Sequence, residues 1–147
     1  MVLLLFVVGL FLGSFLGVLV DRLPRNETVI KGRSRCEFCR KELKALDLIP
    51  VLSFISTKGK CRYCHTSLPY FYPVIEISTG ILFALTYIFP ISNFQSFINS
   101  LSSLITLAYY LIIVSGFIVI FFIDFKYGVI LDKILFPLVG IITLYLL

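Results

Sequence analysis

Residues 33–64 read RSRCEFCRKELKALDLIPVLSFISTKGKCRYC: two C-x2-C pairs, Cys36 with Cys39 and Cys61 with Cys64, with 21 residues between the pairs. Long apolar segments run on either side, so the stretch reads as an aqueous island between membrane spans. Four thiolates so spaced suit one tetrahedral zinc ion, because each pair can sit on a tight knuckle that aims both sulfurs at a common centre. A structural zinc contributes on the order of 10–16 kcal/mol of apparent binding energy, which can fold a segment with little core of its own. Two disulfides, or reduced thiols without metal, would use the same four residues, and the compartment of the loop decides among these readings.

The flanking charges address that question. Between Asp21 and Tyr72 there are 11 Lys or Arg and 5 Asp or Glu, against 2 basic and 3 acidic residues in the remaining 95. An excess of Lys and Arg close to the ends of spans marks a cytoplasmic loop. A reducing compartment follows, and it favours zinc over disulfides. The net charge of +5 is thereby a topology signal; no interleaved aromatic and basic surface outside the island supports nucleic-acid binding. With 59% apolar residues, 14% charged residues and a mean hydropathy of +1.04, the composition is that of an all-α polytopic membrane protein, its core built from packed spans. No internal repeat is evident.

Val2 to Val20 carries no charge over 19 residues, about the length that crosses ~30 Å of hydrocarbon as a helix. It lacks the basic leading region of a cleavable signal peptide, so it is expected to stay attached, with the amino terminus outside. Gly9, Gly13 and Gly17 recur every fourth residue along one stripe, where another helix can approach closely; packing within the chain is expected ahead of self-dimerisation. Asp21, Arg22 and Pro24 end the span. Inside the island, DLIPVLSFI at residues 47–55 suits either the lipid interface or a cover for the metal site, and its secondary structure is ambiguous. His65, the only histidine, reads as an ordinary surface residue beside four sulfurs.

The second span runs from Pro73 to Phe89 and holds Glu76 one turn inside. A carboxylate there needs a partner in protein or water, or the positive end of its own helix. Residues 90–103 carry no charge and suit an external connection. The third span, Leu104 to Ile123, ends at Asp124, Phe125 and Lys126, level with the island. A fourth apolar segment, Ile134 to Leu147, has 14 residues, short for a crossing. About four transmembrane helices are expected, the last incomplete, divided as a first helix (1–20), a cytoplasmic four-cysteine loop domain (21–72) and further membrane helices (73–147). A partly desolvated carboxyl at a membrane face can have its pKa raised toward working pH, which makes Asp124 a catalytic candidate. It also reads as an interfacial carboxylate paired with Lys126. Asp132, eight residues on, would lie about 12 Å along a continuous helix and on another side, a poor second member of an aspartic pair.

GSFLGVLVDRLPR at 13–25, RSRCEFCRKEL, DLIPVLSFISTKGKCRYC, LPYFYPVIE at 68–76 and IDFKYGVILDKI at 123–134 occur in an order and spacing that resemble the type IV prepilin peptidases. These are leader peptidases and N-methyltransferases of pilus, type II secretion and competence systems. The resemblance implies a multi-pass protein of the bacterial inner membrane whose Cys loop lies in the cytoplasm. It implies that Asp124 is the first of two catalytic aspartates, that Gly59 and Lys60 take part in methyl transfer, and that Cys36, Cys39, Cys61 and Cys64, the zinc candidates by spacing, form the loop between the first two spans. The substrate would be a prepilin or pseudopilin, met at the membrane lipid and cut after its basic leader. S-adenosylmethionine would be the methyl donor. The chain departs from the family pattern at Gly17, commonly Asn, and at Leu131–Asp132, often Pro-Asp or Pro-Asn. The second aspartate belongs to a G-x-G-D motif on a later helix, and none occurs between Asp124 and Leu147. The expectation is the amino-terminal part of such an enzyme, not proteolytic alone; the competing reading is a non-enzymatic zinc-knuckle membrane adapter or a degenerate remnant.

Overall fold

A computed structural model describes residues 1–29, 34–88 and 101–146. Among the described residues five α-helices follow one another: α1 (Val2–Arg22), a short α2 (Leu52–Ser56), α3 (Phe71–Ile88), α4 (Leu101–Tyr127) and α5 (Asp132–Leu146), with a 3-10 turn at Ala45–Leu48. Among the described residues there is no strand, only two isolated antiparallel bridges. α1, α3 and residues 104–127 of α4 are each long and apolar enough to cross a membrane. Their outward faces carry residues such as Leu3, Phe11, Ile81 and Phe117, exposed as lipid-facing side chains are. The protein is therefore an all-α polytopic membrane protein. The sequence boundaries shift by four residues or fewer: α1 runs through Asp21 and Arg22, α4 begins at Leu101 and ends at Tyr127, and α5 starts at Asp132. The expected end of the second span at Phe89 and most of the connection over 90–103 lie outside the described residues.

α1 and α3 are antiparallel, and the glycine stripe is what brings them together. A Cβ on Gly9 would stand 2.7 Å from the Gly80 Cα, and one on Gly13 would stand 2.7 Å from the Glu76 Cα. Both lie inside the ~3.5–4.0 Å that non-bonded carbons prefer, so only glycine permits this approach. The expected intramolecular use of Gly9, Gly13 and Gly17 is the one found.

α4 crosses the open side of this pair. Leu16 and Val20 of α1, Ile75 of α3, and Ile118, Val119, Phe122 and Ile123 of α4 form the buried core at the end of the bundle nearest the cysteines. Gly128, at φ +64°, stops α4, and the chain turns back. Leu138 fills the space beside Gly116, and Tyr145 stacks on Tyr109 at 3.9 Å between ring centroids. α4 and α5 are thus a helical hairpin, and the axial separation of Asp124 and Asp132 expected for one continuous helix does not apply. Both residues sit beside the turn of that hairpin.

The island contains a repeat that composition hides. Ser34–Leu43 and Gly59–Leu68 fold alike. In each, the first cysteine's N–H donates to the carbonyl five residues on (Cys36 to Lys41, 3.0 Å; Cys61 to Thr66, 2.8 Å). The residue after the second cysteine has a left-handed backbone (Arg40, φ 57°; His65, φ 58°) and donates to the first cysteine's carbonyl at 2.9 Å in both copies. A closing bond joins Leu43 to Ser34 in one and Leu68 to Gly59 in the other.

Candidate functional site

Each knuckle turns its two sulfurs the same way, and the halves face each other. The sulfurs of Cys36, Cys39, Cys61 and Cys64 all lie within 4.8 Å of one another, with Cys36 Sγ and Cys64 Sγ 3.8 Å apart. All four are free thiols, so the disulfide reading is not the arrangement found. Cys36 and Cys61 are buried, Cys64 is half-buried and Cys39 is exposed. Hydrogen bonding from the Thr66 hydroxyl, then from its backbone, pulls the Cys64 thiol down to about 6. The thiolate is the ligating form, and this donor set can hold a metal ion. His65 is an exposed residue outside the sulfur cluster, in line with its reading as a surface side chain.

Asp47 holds the halves in register. Its carboxylate accepts from the Lys44 backbone (3.0 Å) and the Tyr63 hydroxyl (2.9 Å), and it pairs with the Arg62 guanidinium (2.9 Å). Arg62 and Tyr63 are the two residues between Cys61 and Cys64, so the turn that leaves the first knuckle is bound to the tip of the second. The Asp47 carboxylate pushes the Tyr63 hydroxyl above its usual value.

Gly59 ends α2. Lys58 takes a left-handed backbone (φ 52°) and donates to Ile55, while Gly59 donates to Phe54 at 2.8 Å, a Schellman closure of the helix. Gly59 itself has φ +70°, and a Cβ there would meet the Phe54 ring at 3.0 Å. Its backbone duty is thus evident. The Lys60 side chain lines a cleft of about 840 Å3 between the island and the ends of α1 and α3. Asp21, Asp47, Tyr72 and Glu76 line the same cleft.

The helices are tied together at that end. Tyr72 of α3 donates to Asp21 of α1 at 2.6 Å, and the Lys126 ammonium of α4 pairs with the other oxygen of Asp21. Lys126 also lies over the Phe71 ring, 4.7 Å from its centroid. Lys133 at the start of α5 donates to Asn26, just past α1, at 2.9 Å. Asp124 is on the last turn of α4, at the same end of the bundle as the sulfurs, with its side chain exposed and outside the cleft. Asp132 is also exposed. The structure therefore brings the four cysteines together, places Lys60, itself exposed, among the residues that line the same cleft as Cys36 and Cys61, and leaves Asp124 outside that cleft.

Residues 7–89 match the Bacterial Peptidase A24 N-terminal domain family. The chain belongs to the prepilin peptidase family. It is 44% identical over 81 residues to the Prepilin leader peptidase/N-methyltransferase of Bacillus subtilis, covering 55% of this chain and 33% of that protein. It is 40% identical over 79 residues to the protein of the same name from Myxococcus xanthus, covering 54% of this chain and 24% of that one. The Vibrio cholerae protein of that name is 28% identical over 147 residues, 95% of this chain and 54% of its own length. The chain thus spans between about a quarter and about half of these curated relatives. No solved structure matches it.

In this chain, reading the sequence misses the partners of the buried carboxylates. In sequence Asp21 marks only the end of a span, yet it is 8% exposed and shared by two other helices. A carboxylate placed directly after 19 uncharged positions, ahead of Arg22 and Arg25, is the available signal. Asp47 gives no comparable signal. Glu76 does have the partner its position demands, the Val51 N–H at 2.7 Å.

Proposed function

We propose that this chain is the membrane-embedded amino-terminal part of a prepilin peptidase that cuts the basic leader of a prepilin or pseudopilin and methylates the new amino terminus. In this reading the island faces the cytoplasm of a bacterial cell, the amino terminus faces outward across the inner membrane, and the chain divides into helix 1–20, a four-cysteine domain 21–72 and peptidase helices 73–147. Zinc is the ion that suits the cysteines. At Zn–S ≈ 2.3 Å a tetrahedral site spaces its sulfurs about 3.8 Å apart, and the four sulfurs need only a slight contraction from their mutual limit of 4.8 Å. Zinc would supply a fixed cross-link between the two knuckles.

Asp124 would act as one of two carboxyls that share a proton, one activating water and the other polarising the scissile carbonyl. S-adenosylmethionine would donate the methyl group, with Lys60 in the cleft beside the incoming amine and Gly59 holding the backbone that presents it. The observation that carries the reading is the Asp21–Lys126 pair. It ties the last turn of α4, with Asp124, to the end of the bundle that bears the sulfurs, so one leader peptide can reach both.

The second carboxyl of the resemblance, in a G-x-G-D segment, is not within residues 124–147, so these 147 residues alone are expected to leave prepilin uncut. Fused to the part of the Vibrio cholerae relative that it does not cover, the chain should cleave a basic-leader prepilin, and Asp124→Asn should abolish cleavage while keeping the metal. Cleavage that survives Asp124→Asn would overturn the assignment.

A further inference from the structure

The bond between Glu76 and Val51 fixes how deep the island reaches. Glu76 lies five residues into α3, and a Cβ on Gly13 would touch its Cα, so it is level with Gly13 and Ser14 of α1. Ser14 precedes Arg22, the last residue of α1, by eight residues, or ~12 Å of helix. The charged ends of α1 and α4, joined through Asp21 and Lys126, mark the membrane boundary. Val51, held at 2.7 Å from Glu76, therefore lies well below that boundary, in a hydrocarbon layer whose half-thickness is ~15 Å. The Ile49–Ser56 segment reaches this depth although both knuckles belong to the aqueous side.

Non-helical backbone is tolerated at such depth where it is covered by protein or lines a watery cavity. Pro50 is buried, Val51 donates to Glu76, and Leu48, Ser53, Phe54 and Thr57 line the cleft with Ser14 and Val18. The opposite side of the segment is apolar and uncovered: Leu52 is 65% exposed and Ile55 64%. Lys44 and Lys58, both exposed, bracket it where headgroup phosphates would lie. Phe54 packs edge-on against Tyr70, at the entry to α3.

We infer that Ile49–Ser56 is a re-entrant wedge that dips into the bilayer beside α1 and α3, with Leu52 and Ile55 against lipid acyl chains and Glu76 as its deep anchor. The inference is independent of the catalytic reading above: a non-enzymatic chain with this fold would carry the same wedge.

The protein has no tryptophan, so single introduced tryptophans report without background. Leu52→Trp and Ile55→Trp would be compared in vesicles with Ile81→Trp on the lipid face of α3 and with Glu37→Trp in the island, using phosphatidylcholine brominated along its acyl chains and, separately, aqueous iodide. Helical circular dichroism equal to the parent's checks that each variant is folded. Both wedge tryptophans should be quenched by brominated lipid to within about twofold of Ile81→Trp and be nearly insensitive to iodide, as burial in the acyl region requires. Iodide quenching at either wedge position would put the segment in water. Shielding from both quenchers would show it covered by a second copy or another protein. Either result overturns lipid contact.

Discussion

The glycine seam between α1 and α3 gives the most direct test of the packing. In Gly13→Ala the new Cβ would stand 2.7 Å from the Glu76 Cα and 3.1 Å from the Ile75 carbonyl, both backbone atoms that cannot swing aside. Restoring ordinary carbon contact requires α3 to retreat by roughly 1 Å. Such overpacking costs about 1–3 kcal/mol, whereas replacing a mid-helix glycine returns at most about 1 kcal/mol of helix propensity. The net expectation is a loss of about 1–2 kcal/mol. Gly17→Ala is the matched contrast. Its Cβ would meet only side-chain atoms, at 3.4 and 3.5 Å, so its stability should equal or exceed the parent's by up to about 1 kcal/mol. Gly140→Ala, with nothing within 4 Å, should behave likewise. Equilibrium unfolding in mixed micelles with rising dodecyl sulfate, followed by circular dichroism, measures all three. Should Gly13→Ala prove as stable as Gly17→Ala, the close backbone approach of α1 and α3 would be wrong.

Three other expectations rest on separate features. Replacing Cys36 by Ser should take metal content from about one ion per chain to none and open the island to proteolysis, since one lost thiolate breaks a four-ligand cage; full retention of metal would show that the two pairs do not share a centre. In metal-stripped protein, alkylation of Cys64 should reach half its plateau near pH 6, because the Thr66 hydrogen bonds hold the thiolate and lower its pKa to about 6. That stabilisation is complete above the ordinary thiol pKa and fades as pH falls through the lowered one, so Thr66→Val should move the alkylation midpoint upward; an unmoved midpoint would exclude Thr66 as the cause. Glu76→Ala should strip the Val51 N–H of its acceptor and cost about 1–3 kcal/mol, with faster amide exchange at Val51, whereas Glu76→Gln keeps an acceptor oxygen; equal protection in both variants would show that the bond carries no weight.

The spans were legible because charge is so unevenly distributed: 19 uncharged residues before Asp21 leave little freedom in reading α1, and the glycine stripe announced its own close contact. The cysteine cage was legible from spacing alone. Its internal twofold likeness was not. Between Ser34–Leu43 and Gly59–Leu68 only the two cysteines and the closing leucine are identical, with Arg35/Lys60, Phe38/Tyr63 and Arg40/His65 alike, too short a pattern to stand out beside the cysteines, while the structure repeats the backbone bend and all three of its hydrogen bonds. The left-handed residues at the equivalent corners are Arg40 and His65, neither of which advertises a turn. Asp21 meets Lys126 across 105 positions of chain, a pairing that no local pattern encodes. The hairpin of α4 and α5 turned on one glycine, Gly128, inside a run that otherwise reads as interfacial. The role of DLIPVLSFI was ambiguous for a physical reason: nine residues with a central proline suit neither helical nor strand periodicity, and only Glu76, from another span, settles where they go.

The glycine seam also has a mechanical meaning. With no side chains to compress at Gly9 and Gly13, α1 and α3 form a stiff strut. α4 leans on that strut through a far smaller contact and one shared carboxylate. Any breathing that admits a substrate from the side is therefore expected to leave the strut unbent and to swing the α4–α5 hairpin away from it, with the Asp21–Lys126 pair as the latch.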